Sequence, residues 1–162
     1  MQAAVKYRLK AGMHIEKELL DEIQFETEKQ TALDKALTHI SASMKTEKQI
    51  RDFLAKKGYT APVCDYVLER MHYYGFIDDY AYCKAYIAGV SGRGKRMLEA
   101  DLIKRGADRG AVDKALSEVE ESCDEARTLA EKYLRGKQRT RENLYKAVKH
   151  LVSRGFSYDT AR

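Results

Sequence analysis

Apolar residues along this chain recur every three or four positions in short bursts. The sharpest bursts end at a glycine preceded by lysine or arginine. Three segments carry the pattern: LAKKG at 54–58, LIKRG at 102–106 and LVSRG at 151–155. Their glycines, Gly58, Gly106 and Gly155, are spaced 48 and 49 residues apart. Eight positions before each glycine stands Ile50, Leu98 or Ala147, and four before it Leu54, Leu102 or Leu151. An i, i+4 apolar pair is one face of a short helix. The closing glycine supplies a left-handed stop, and the basic residue before it suits the negative end of the helix dipole.

Each of these helices is flanked by two more helical stretches. In the first repeat TALDKALTHIS precedes it and APVCDYVLERM follows, with Pro62 at a first-turn position. Thr46 and Gln49 have the spacing of a capping box for the middle helix. DDYAYCKAYIAG, KRMLEADLIKRG and RGAVDKALSEVE form the second repeat; DEARTLAEKYLRG, RENLYKAVKHLVSRG and FSYDTAR form the third. The pattern predicts an all-α, elongated array of three tandem three-helix repeats at 32–74, 75–122 and 123–162, with an extra N-terminal segment at 1–31. That segment holds a short AVKYRLKAGM element and an acidic helix from about Glu16 that runs toward the first repeat. Leu68 and Leu116 lie ten residues past their glycines, whereas the chain stops at Arg162, so the spacing predicts a third repeat cut short in its last helix.

The junction between the first two repeats reads GFIDDYAY. Neighbouring residues on a helix point about 100° apart, so Asp78 and Asp79 do not converge on one ligand. Gly75 closes one helix, one aspartate caps the next and the other sits in its first turn, with Ile77 stapling onto it.

Composition narrows the function. The chain is 34% charged with one proline and no tryptophan, and no apolar run reaches the roughly 18 residues of a membrane helix. Without a signal-like apolar core, the first residues predict a cytoplasmic protein. Cys64, Cys83 and Cys123, an odd number with no C-x-x-C, read as reduced thiols rather than a disulfide or zinc framework. His14, His39, His72 and His150 are scattered, so no metal-binding or catalytic constellation is expected, and no cofactor. The net charge of +5 equals the surplus carried by residues 124–162 alone, ten basic against five acidic side chains. A partner recognised by positive charge therefore meets the C-terminal quarter first.

GVSGRGKR at 89–96 imitates a phosphate-binding loop, but Arg96 stands where Ser or Thr must hold Mg²⁺, and the preceding residues read as helix rather than strand. A nucleotide-dependent enzyme built on this segment is a weak reading. The same turn carries Arg93, Lys95 and Arg96, at a helix start where cations are disfavoured. The matching turn of the third repeat, RGKQRTR, carries Arg135, Lys137, Arg139 and Arg141. Repetition of basic turns at matching positions predicts contact with an anionic partner, whereas a single charge run is most often only solvated. Seven tyrosines between 59 and 86 read as packing for the seam between the first two repeats, with base stacking as the other option.

ALDKALTHIS…KTEKQIRDFLAKKGY, GFIDDYAYCKAYI, GRGKRMLEADLIKRGA and KAVKHLVSRGFSYD together resemble the RecX family, bacterial regulators of the RecA recombinase, over roughly residues 32–162. The resemblance implies a non-enzymatic, monomeric protein that binds RecA and RecA–DNA filaments and restrains strand exchange, ATP hydrolysis and LexA coprotease activity. It also implies direct contact with single- or double-stranded DNA in some members. The alternative is a free-standing nucleic-acid-binding helical repeat protein that uses the C-terminal surplus on phosphates.

Overall fold

A computed structural model describes residues 2–162, and Met1 of the N-terminal segment lies outside them. Every regular element among the described residues is helical, and the chain divides into two compact units, Met1–Asp78 and Asp79–Arg162.

The first unit contains α1 (Gln2–Lys6), α2 (Lys17–Ser41), α3 (Glu47–Lys56) and α4 (Ala61–Tyr73). The acidic N-terminal stretch and the first repeat share α2, which continues without a break through positions 31 and 32. Its Ala32, Leu33 and Ala36 pack with Ile50 and Leu54 of α3 and with Val63, Val67, Leu68 and Met71 of α4. α3 opens on the expected capping box: the Gln49 N–H donates to Thr46 Oγ1 at 3.2 Å, and the Thr46 N–H donates to Gln49 Oε1 at 3.1 Å. Reciprocal bonds of this kind satisfy two orphan donors at once, and Thr46 is accordingly fully buried.

The second unit holds α5 (Asp79–Gly89), α6 (Lys95–Lys104), α7 (Arg109–Ser117), α8 (Cys123–Leu134), α9 (Arg141–Ser153) and α10 (Tyr158–Ala161). Tyr82, Cys83, Leu98, Leu102, Val112, Ala115 and Leu116 form one core. Ala126, Leu151, Phe156 and Ala161 form another, flanked by Leu129, Val148 and Val152. Burial pushes the Cys83 thiol up to about 11, with the nearby Asp79 and Asp108 adding to the shift, so it is an inert packing residue.

All three middle helices stop in the same way. Gly58, Gly106 and Gly155 have φ of 90°, 82° and 89°. In each case the glycine N–H donates back to the residue three before it, and the following N–H donates to the leucine four before the glycine. This is the Schellman arrangement, in which a left-handed residue lets two late carbonyls find donors. Gly75 closes α4 by the same bonds, with φ of 72°. The leucines of the repeat thus pack the core and accept the closing bond.

At the junction, Asp79 lies in the first turn of α5 and accepts the Asp108 N–H at 2.7 Å, tying the start of α7 to α5. Ile77 joins the core of the first unit instead of stapling onto α5, because the left-handed Gly75 turns the chain back over Met71. The tyrosines follow their own cores: Tyr59 and Tyr66 lie against the first, Tyr80, Tyr82 and Tyr86 in or against the second, and Tyr73 and Tyr74 are exposed.

Within the second unit, helices pack on helices inside each repeat, and the two repeats meet through their turns. The Gly94 N–H donates to the Arg154 carbonyl at 3.0 Å, and the Arg96 N–H donates to the Gly155 carbonyl at 3.2 Å. A Cβ on Gly94 would lie 2.2 Å from the Gly155 carbonyl carbon, and one on Gly155 would lie 2.4 Å from the Met97 nitrogen. Glu121 locks the same joint. Its carboxylate accepts the Lys95 N–H at 3.3 Å, the Ser157 N–H at 3.0 Å and the Thr160 hydroxyl at 2.8 Å. Burial alone would raise its pKa, but the bonds from Ser157, Thr160 and Lys95 outweigh burial and hold the carboxyl below the ordinary glutamate range.

Replacing Gly58 by alanine meets open space and should cost only the left-handed strain, about 1–2 kcal/mol. Gly155→Ala adds a backbone clash and should cost at least about 3 kcal/mol of the second unit's stability. Urea unfolding separates them, and equal losses would refute close approach as the cause. A carboxyl with a depressed folded pKa contributes stability that is present above its unfolded pKa and is lost as pH falls through the folded value. Glu121→Gln should therefore destabilise the protein by about 1–2 kcal/mol at neutral pH. The gap to the parent should close below about pH 4, as measured by urea midpoints across pH.

Candidate partner-binding surface

The three modules use the turn before their middle helix differently. In the first module this turn is filled by the Thr46–Gln49 capping box. The second carries Arg93, Lys95 and Arg96, and here the clasp with 154–155 takes the backbone while Asp101 meets the charge of Arg93. The Arg93 guanidinium is ion-paired with Asp101, one α6 turn and a half away, and lies 3.4 Å from the Tyr86 hydroxyl. Lys95 is half-buried and gives its N–H to Glu121; Arg96 keeps an exposed side chain and spends its N–H on Gly155. The imitation of a phosphate-binding loop ends here too, since α5, a helix, precedes it.

The third turn is open. Arg135, Lys137, Arg139 and Arg141 are all exposed, and among the described residues none of them makes a salt bridge. Gly136, at φ of 76°, turns the chain between α8 and α9, and the Thr140 hydroxyl caps α9 by accepting the Asn143 N–H at 3.2 Å. Asn143 Nδ2 also donates to the Gln138 carbonyl at 2.8 Å, so the loop that bears the cations is pinned to the start of α9. Like charges gathered without carboxylate partners raise the local potential and attract an anion, most strongly at low salt.

Sequence reasoning missed the aromatic part of this surface. Tyr133 of α8 stacks on His150 of α9, with ring centroids 4.8 Å apart, and the Lys137 ammonium sits 3.5 Å from the Tyr133 centroid. Lys149 lies 4.8 Å from the Tyr145 ring, and Leu144 and Tyr145 are exposed. The i, i+4 spacing of Tyr133–Lys137 and Tyr145–Lys149 was a readable signal; the Tyr133–His150 pairing, 17 residues apart, was not. Cations interleaved with half-exposed rings suit phosphates and planar groups. Among the described residues no group of three His, Cys, Asp or Glu side chains is placed to hold a metal ion, and no helix is long and apolar enough to cross a membrane.

Residues 32–71 match the first three-helix domain of RecX. The chain is 32% identical over 164 residues to a protein named regulatory protein RecX from Geobacillus thermodenitrificans, covering 96% of this chain and 60% of that one. A Bacillus subtilis protein of the same name is 30% identical over 162 residues, with 96% and 61% covered. The chain therefore spans about 60% of the length of these curated relatives. A crystal structure of regulatory protein RecX superposes with a TM-score of 0.79 at 22% identity, covering 98% of this chain and 82% of that one. Three glycine-stopped helical modules, the matched first domain and similarity over almost the whole sequence converge on one likeness: the chain resembles proteins of the RecX family.

Proposed function

We propose that this chain is a non-enzymatic regulator that binds RecA and RecA–DNA filaments and restrains their recombinase, ATPase and coprotease activities. Kinship with proteins named regulatory protein RecX supports a regulatory role, and the observation that carries the contact is the run of four uncompensated cations at Arg135–Arg141. In this reading the third-module surface faces the phosphates of filament DNA or acidic protein groups, and many weak contacts along a repeating filament sum through effective concentration. Arg93 is a stabilising residue of its own module, because its charge is already met by Asp101. Lys95 and Arg96 contribute side chains beside it.

The stacked Tyr133–His150 pair under Lys137 favours a second reading, in which the chain binds nucleic acid without RecA. Comparing affinity for naked DNA with affinity for RecA-coated DNA at physiological salt separates the two.

Alanine at Lys137, Arg139 and Arg141 together should weaken inhibition of filament ATP hydrolysis. If the contacts are to phosphates, it should also lower the slope of log affinity against log salt by roughly two to three. Arg93→Ala should instead lower the melting temperature and leave that slope unchanged. Unchanged inhibition and unchanged salt dependence in the triple variant would remove the turn from the interface.

A further inference from the structure

A different feature belongs to the first unit, which carries neither of the basic turns. An open groove of about 530 Å³ runs between α2 and α3. Thr31, Asp34, Lys35, Thr38, His39 and Ala42 of and just beyond α2 form one wall, and Phe53 and Lys57 form the other. The lining positions on α2 span 31 to 42, about three helical turns or ~16 Å. Small side chains at Thr31, Thr38 and Ala42 leave the space. In the middle, the His39 and Phe53 rings stack in parallel at a centroid distance of 4.0 Å, forming a flat unsaturated floor.

The cations are arranged at both ends. Lys35 and Lys57 rise from opposite walls, with their ammonium groups 5.3 Å from the Tyr59 ring and 5.7 Å from the Phe53 ring. Lys45, beyond the α2 end, is near enough to His39 to act with partial burial in holding that imidazole's pKa below its ordinary value. The single carboxylate in the lining, Asp34, accepts a bond from Gln30 at 3.1 Å. His39 is therefore neutral at pH 7 and serves as a surface for packing rather than as a charge.

We infer that this groove is a docking site for a short acidic peptide segment of a partner protein, with an apolar or aromatic side chain over the His39–Phe53 floor and carboxylates reaching Lys35, Lys57 and Lys45. A peptide fits better than a nucleic acid strand. The cations stand at the ends rather than along a continuous phosphate track. The inference is independent of the third-module surface, which lies in the other unit.

The test is a ¹H–¹⁵N NMR titration of the full chain with a blocked peptide that has a central phenylalanine flanked by two glutamates on each side. The controls are the same peptide with glutamines and an oligo-dT strand. Saturable shifts should gather on the amides of Thr38, Ala42, Phe53 and Lys57. Lys35→Glu with Lys57→Glu, both at exposed positions, should weaken binding about tenfold while amides elsewhere keep their shifts. Thr38→Arg, which fills the groove, should abolish it. Absence of saturable shifts, equal binding of the glutamine peptide, or oligo-dT perturbing the same amides would each overturn the inference.

Discussion

The left-handed glycine that closes each middle helix is the constraint on which the rest of the structure depends. At Gly58, Gly106 and Gly155 the backbone takes a conformation that costs an L side chain about 1–2 kcal/mol, and in exchange the leucine carbonyl four residues earlier finds a donor. The leucine side chain is at that moment in the core, and the residue after the glycine is turned back over it. Tyr59 packs against the first core in this position, and Ala107 and Phe156 are buried in the other two. One local dihedral thus decides where each helix ends and which residue the next segment buries.

Much of this was legible from the sequence. The i, i+4 apolar pairs, the glycine stops and the Thr46–Gln49 box are local patterns, and local hydrogen bonding enforces them. What was not legible depends on residues far away in sequence. Turns 93–96 and 135–141 look alike as strings of cations. They differ because Asp101 answers Arg93, while no ion pair among the described residues involves Arg135, Lys137, Arg139 or Arg141. Ile77 was misjudged for the same kind of reason, since a staple is a local motif and the side chain went to a core fixed by the preceding Gly75 turn.

Repetition with divergence is how one scaffold carries both architecture and recognition. The turn before the middle helix is a neutral cap in the first module, a charge-paired joint in the second and an open cationic loop in the third. Each difference is set by the side chains within one turn and by what faces it. The exposed loop is also anchored by Thr140 and Asn143, so the cations stand on a shaped backbone rather than on a slack one. A preorganised charge loses less entropy when it meets its partner.

The joint between the last two modules is built from two backbone bonds, a glycine-on-glycine approach and the carboxylate of Glu121. Direction and distance define such a joint more than buried oily area does. Such bonds weaken steeply with misalignment, so the joint fixes the orientation of the third module on the second through a few directional contacts within one compact unit.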